Sequence, residues 1–389
     1  MAHRNVVGGA TVALAALGMA GTAGAEEQAA GAVRWDFGAH TFADWTEAEP
    51  EAGGSFEDND LTLLRFDATR AAGPTTLVLE ADISQNEFTV HDAFLDWRLG
   101  AGGAVLRVGH FKEPNGLEQV SALYGKMFVR GPGLFKINGI DRRLGASLRG
   151  YNGPFTFEGA LFASNINEED LSNGWSASAR AVYGAALGGQ ADHIVHLAVS
   201  TRYREADDSR LGLSEDAYSF AIGKIVKTGA IADSDIFLGA EAAYQAGSFS
   251  LQGEASRSFV DCASAFCGGG DPSFDAAYVD ASYVFGGHRN YRPRGGKFGR
   301  YAIDHPLGEA GGWGAFELAA RLDYADLVDN GVLGGQQTTT VVGATYHANN
   351  NVRFQLNYAH SEIEAPTTGL SSDVDAMTLR MQIDLSARR

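Results

Sequence analysis

Beyond residue 25 the chain has no stretch of about 18 or more apolar residues, which excludes a helical membrane span. Catalytic signatures are lacking as well. There is no G-x-S-x-G elbow and no Walker A motif, and glycine runs such as 268–270 read as turns. His193 and His196 fall on opposite faces of a strand at their spacing, so they do not share a metal. Cysteines number two, Cys262 and Cys267, in the loop-like segment DCASAFCGGG. In an exported protein they are expected to close that loop as a disulfide. The competing metal pair has no nearby histidines or further cysteines to complete a tetrahedral set. Prolines are few, nine in 389 residues, and the formal net charge is -18. No catalytic residue, cofactor, metal or nucleic-acid partner is expected.

What is abundant is glycine, phenylalanine and tyrosine, at 50, 22 and 13 residues, a composition that suits short strands and turns more than packed helices. Residues 1–25 read as a signal peptide. His3 and Arg4 give a weakly basic start, 6–20 is apolar but short, and Ala23-Gly24-Ala25 offers a small-x-small cleavage site. Residues 26–389 are then one exported domain, either secreted, periplasmic or an outer-membrane barrel.

Alternation of apolar and polar side chains over about ten residues, broken by turns, recurs along this domain, as in a transmembrane β-barrel. Trp35, Phe37 and Ala39 oppose Arg34, Asp36 and His40; Leu64, Phe66 and Ala68 oppose Arg65, Asp67 and Thr69. Leu77, Leu79, Ala81 and Ile83 oppose Glu80 and Asp82, while Leu95 and Trp97 oppose Asp92, Asp96 and Arg98. A soluble β-sandwich would alternate too, but its loops should be similar at both ends. Here the connectors 71–73, 100–102, 151–153 and 188–191 are tight, whereas 47–59, 112–141 and 165–174 are long, the asymmetry of an outer-membrane barrel. Candidate strands number seventeen, from 33–43 to 374–385. Bacterial single-chain barrels have an even number of strands. Both directions of reading agree if 217–226 belongs to one long loop, 204–234, which leaves sixteen strands. That parity puts the disulfide loop 260–273 outside and 286–312 on the periplasmic side, where connections are normally short.

The segment 286–300, GGHRNYRPRGGKFGR, carries Arg289, Arg292, Arg294, Lys297 and Arg300 and no acid. Its length allows it to fold into the lumen; a solvated periplasmic hairpin is the alternative. A second basic group, Lys112, Lys126, Arg130, Lys136, Arg142 and Arg143, outweighs Glu113, Glu118 and Asp141 in the third external loop. By fold analogy that loop folds inward to narrow a channel; an ordinary surface loop is the alternative. Rings of Arg and Lys make anion pores, because an entering oxyanion loses hydration and needs donors in its place. The lumen-phase arginines Arg34, Arg65, Arg98, Arg107, Arg321 and Arg353 could extend the path, or could be neutralised by Asp36, Asp67, Asp96 and Asp323. The acidic run from Glu47 to Asp60 reads as a solvated external loop, with Ca2+ binding as the lesser alternative.

Four stretches in order resemble the phosphate-selective porin O and P family of Gram-negative outer membranes: VGHFKEPNGLE at 108–118, IDRRLGASLRG at 140–150, IFLGAEAAYQAGSFSLQGE at 236–254, and GAFELAARLDYADL at 314–327 followed by Gly334 and Gly335. The resemblance implies a sixteen-stranded, homotrimeric channel for phosphate or polyphosphate, with a constriction of basic residues on infolded loops and an infolded periplasmic turn. Lys112 stands at the family's Lys after Gly-x-Phe, and Arg142 and Arg143 at its double Arg; the stretch from Arg289 to Arg300 corresponds by segment. The last strand runs through Met381, Ile383 and Leu385 without the family's terminal aromatic. A passive channel for inorganic phosphate or other small anions is therefore expected in the outer-membrane lipid. A weakly selective general porin, a barrel enzyme and a loop-blocked structural barrel are its rivals.

Overall fold

The computed structural model describes residues 33–51, 53–84, 87–100, 102–168, 174–190, 192–206, 210–219, 221–263, 267–268, 270–365 and 373–388. The leader assigned to 1–25 lies outside them. The strands are β1 (Arg34–Pro50), β2 (Phe56–Ala72), β3 (Thr75–Asp82), β4 (Thr89–Leu99), β5 (Ala104–Lys112), β6 (Arg142–Asn152), β7 (Phe155–Phe162), β8 (Trp175–Ala186) and β9 (His193–Glu205). They continue as β10 (Leu211–Asp216), β11 (Lys224–Ala246), β12 (Phe249–Cys262), β13 (Ser273–Phe285), β14 (Gly287–Arg292), β15 (Lys297–Ile303), β16 (Ala315–Asp329), β17 (Val332–His347), β18 (Val352–Glu364) and β19 (Val374–Arg388). Two short helices, α1 (Leu117–Val120) and α2 (Gly133–Ile137), lie between β5 and β6.

Sixteen of these strands form one closed antiparallel wall. β9 pairs directly with β11, β13 with β16, and β19 returns to β1. Closure removes sheet edges, which a membrane cannot satisfy because it offers the backbone no water. The alternation decides the faces: along β16, Phe316, Leu318, Leu322 and Tyr324 are exposed to the outside while Glu317, Arg321 and Asp323 are buried inside.

Residues 217–226 contribute no wall strand of their own, in agreement with the parity count. Instead β10 pairs with residues 224–232 at the start of β11, and β11 meets β9 only from Ser234, opposite Glu205. The expected long loop 47–59 is corrected: β1 and β2 stay paired through Glu47 and Glu57 to Ala48 and Phe56. Alternation fades there because both faces meet water above the lipid, so polar residues on both sides do not mark a loop.

The wall is uneven. β3 to β7 are 8, 11, 9, 11 and 8 residues long, whereas β16 to β19 have 15, 16, 13 and 15. On the tall side the lumen is packed rather than wet. Leu134, Phe135 and Ile137 in and beside α2 meet Leu213 and Val226 of the β10–β11 hairpin and Phe237, Leu327 and Ile363 of the wall. Outside, Cys262 and Cys267 are joined by a disulfide with their Cα atoms 6.2 Å apart. The amide of Ala263 donates to the carbonyl of Ile231 at 3.0 Å, tying this loop to the hairpin. Closing so short a loop limits the unfolded chain by about 2 kcal/mol. C262S/C267S is therefore expected to make the external loops easier to cut in limited proteolysis, with bilayer conductance unchanged.

Candidate functional site

The segment between β5 and β6 turns into the barrel and crosses to the far wall. Its entry is fixed by Glu254, whose carboxylate accepts from the amides of Leu117 and Glu118, each at 2.8 Å. Gly116 makes that turn at φ 96, and a Cβ there would lie 2.2 Å from the Phe135 ring. Backbone groups farther along are captured by the tall wall. Arg353 donates to the carbonyls of Tyr124 and Lys126 at 3.2 Å, Gln355 to Met127 at 3.3 Å and Arg321 to Arg130 at 3.0 Å. Each of these side chains faces inward by the strand alternation, so the wall holds the loop through groups the loop cannot satisfy itself.

The hairpin of β14 and β15 folds into the barrel, as its length and charge lead one to expect, from the end of the wall that carries the short turn between β17 and β18. The amide of Ala122 donates to the carbonyl of Phe298 at 3.0 Å, and that of Phe298 to Ser121 Oγ at 3.1 Å. Contact is so close at Gly125 that a Cβ would lie 2.0 Å from the Gly299 oxygen. Tyr291 shares a 2.7 Å hydrogen bond with His196, and Tyr301 donates to Glu317 at 3.0 Å.

The β10–β11 hairpin is a third infolded piece. Asp216 pairs with Arg130 and with Lys136 at 2.9 Å. Tyr218, buried with φ 59, accepts from Arg321 through its hydroxyl. Arg321 in turn makes two bonds to Asp280, at 2.6 and 2.7 Å.

These three pieces fill the tall half of the lumen and leave a cavity of about 370 Å³ against the low half. Eight basic side chains border it, Arg65, Arg107, Lys112, Lys126, Arg142, Arg149, Arg180 and Lys297, against four acidic ones, Glu80, Asp92, Asp141 and Glu158. The lining thus carries more basic than acidic groups. Most of its arginines are partnered: Arg107 with Asp96 at 2.7 and 2.8 Å, Arg149 with Glu158 at 2.8 and 3.1 Å, Arg142 with Asp92 at 2.8 Å, and Arg65 with Glu80 at 2.8 Å. The lysines are freer. Lys112 donates to the Gln119 carbonyl at 2.8 Å, Lys126 stands 3.8 Å from Glu118, and Lys297 has no carboxylate within ion-pair distance among the described residues. Burial, together with the neighbouring Arg149, Arg107 and Arg292, holds the Lys297 ammonium down to about 8.

Of the residues singled out in the sequence, Arg65, Arg107, Lys112, Lys126, Arg142 and Lys297 border the cavity. Arg143 stands 3.6 Å from Glu113, and Arg130 and Lys136 hold the hairpin instead of facing the opening. Arg289 is buried inside the infolded packing, donating to Gln252 at 2.8 Å and to the Gly125 carbonyl at 3.0 Å, with its guanidinium over Phe298. Arg300 meets Asp384 at 3.3 Å. Arg292 and Arg294 are exposed at the hairpin tip, Arg294 over Tyr151. Arg149 and Arg180 border the cavity without having been singled out; their lumen phase, shared with Ser147 and Ser178, was the available signal.

A sequence model described as phosphate-selective porin O and P matches residues 54–385. An uncharacterized protein of Caulobacter vibrioides is 28% identical over 326 residues, 79% of this chain. The chain spans 64% of that relative's length. Among solved structures, the anion-selective porin from Comamonas acidovorans superposes with a TM-score of 0.55 at 11% identity, covering 91% of this chain and 100% of that one. OmpT of Vibrio cholerae in its trimer form does so at 0.55 and 12% identity, covering 91% and 100%. At such identities these structures share the fold.

Proposed function

The chain belongs to the phosphate-selective porin O and P family, and from that premise we propose that it is a passive outer-membrane channel that prefers anions, inorganic phosphate among them. The observation that carries this reading is the set of lysines at the narrowed lumen, Lys112, Lys126 and Lys297, set among basic side chains that outnumber acidic ones eight to four. An oxyanion entering the cavity loses part of its water and takes ammonium donors in exchange. Lys112 and Lys297 can make that exchange without breaking an ion pair. The partnered arginines supply field, while their carboxylates keep any one site from trapping the ion. The exposed apolar outer face suits outer-membrane lipid, and the trimer form of the Vibrio cholerae protein supports a trimeric arrangement.

One observation favours a second reading, the weakly selective general porin: Arg65, Arg107, Arg142 and Arg149 are each neutralised by a carboxylate. Reversal potentials in a KCl gradient separate the two. K112Q/K297Q is expected to lower the anion-to-cation permeability ratio several-fold and to weaken block of chloride current by phosphate. An unchanged ratio would leave the general-porin reading.

Selectivity should also fall with rising pH. The charged form of Lys297 attracts anions, and with its titration held down to about 8 that charge is present at pH 6 and largely gone by about pH 9. K297R, whose guanidinium stays charged, is expected to keep more of its anion preference than the parent across the same range of reversal-potential measurements.

A further inference from the structure

We propose that the solute fitted to this constriction is an organic anion, a phosphate or carboxylate head joined to a compact apolar body. This rests on the anion-channel reading above and narrows it. The cavity has two unlike sides. Toward β2, β5 and β6 it presents basic side chains; toward the infolded loop, beside Gln119 and Lys126, it presents a patch of Val120, Ala122, Leu123 and Tyr124, all half-buried and so still open to the lumen.

Several of their polar backbone atoms are occupied elsewhere: the Val120 amide donates to the Gly116 carbonyl at 3.2 Å, and the Ala122 carbonyl accepts from the Gly125 amide at 2.8 Å. The Ala122 amide donates to the Phe298 carbonyl at 3.0 Å. Arg353 takes the carbonyls of Leu123 and Tyr124, at 3.4 and 3.2 Å. What this patch offers the opening is largely its side-chain hydrocarbon, held from behind. Water against such a surface is released when an apolar group replaces it, and bare phosphate cannot replace it. Size points the same way. About 370 Å³ lies within the ~300–1,000 Å³ typical of small-molecule sites, whereas a lone tetrahedral anion would leave most of that space to water. An anion with a ring or short alkyl body can seat its head on Lys112 and Lys297 and its body against Val120 and Leu123 in one pose.

The test is block of chloride current through the intact channel in planar bilayers. Phenyl phosphate is compared with glycerol phosphate, the same monoester head on a polar body, and benzoate with acetate. Phenyl phosphate and benzoate are expected to half-block at roughly tenfold lower concentration than their partners, a difference of about 1.4 kcal/mol. V120S/L123S should bring each ratio close to one; V120T, which nearly keeps the side-chain shape, should bring it part of the way and serves if the double variant fails to assemble. A gain with phenyl phosphate alone selects the phosphate head, and with benzoate alone the carboxylate. Anion preference with equal half-block for both pairs would overturn this proposal alone, as would a gain that survives both variants. Cation preference in a KCl gradient would overturn the anion-channel reading beneath it.

Discussion

Excising residues 287–303 and joining Gly286 to Asp304 is expected to raise single-channel conductance several-fold and to reduce anion preference together. The two ends already meet: the amide of Asp304 donates to the carbonyl of Gly286 at 2.9 Å, so the excision needs no new linker. What leaves is a hairpin that reaches across the lumen from the β13–β16 junction to β8, where Arg180 donates to the Gly296 carbonyl at 2.9 Å and a Cβ built at Gly296 would lie 3.0 Å from Val182. Groups that lose partners, such as Gln245, Gln252 and Glu317, would face a water-filled interior and be solvated. The wall ladder between β13 and β16 is independent of the hairpin and should close as before. Lys297 leaves with the segment, which is why selectivity falls as conductance rises. Single-channel recordings with reversal potentials measure both; an unaltered conductance would mean that the hairpin does not limit flow.

The second large effect is expected at Asp280. Arg321 is fully buried, and besides its two bonds to Asp280 it holds the Arg130 carbonyl and the Tyr218 hydroxyl, with Phe128 and Tyr278 against its guanidinium. D280A strands that charge, and breaking a buried pair on one side typically costs about 3–5 kcal/mol. The loss should appear as a lower temperature for the change in gel mobility that accompanies barrel unfolding, with noisier currents as the loop and the β10–β11 hairpin loosen. Removing both charges in D280L/R321M should recover most of the thermal loss, because no charge is then left unpaired, but not the quiet current, because the bonds to Arg130 and Tyr218 are gone. A D280A protein as heat-resistant as the parent would show that water reaches Arg321.

The barrel was legible because lipid outside and polar lumen inside impose a strict period of two, visible in pairs such as Phe66 against Arg65 or Trp97 against Asp96. The infolded periplasmic hairpin was legible from parity, length and charge. The β10–β11 hairpin was not recognised as infolded, since residues 211–232 carry no excess of basic residues and their alternation suits an external hairpin equally well. Individual roles were the least legible. Arg289 and Lys297 lie in one basic run, yet one is packed into the interior and the other faces the opening. The difference depends on what stands opposite, Gln252 and Gly125 for one and the cavity for the other, and local composition does not encode that.

The grip of Arg353 and Arg380 on the carbonyls of Tyr124, Lys126 and Val129 links parts of the chain more than 220 residues apart. These arginines stand on β18 and β19, the final strands of the wall, and β19 is the one that seals against β1. The far part of the loop that narrows the lumen is therefore not held until the last strands are in register. Contacts so distant in sequence form late, because the entropy of closing the intervening chain must first be overcome. The order of construction thus runs opposite to the order of synthesis: a segment made early waits, loose and solvated, for the end of the chain to fix it. A half-built wall has no constriction, and the lumen is narrowed in the same step that completes its closure.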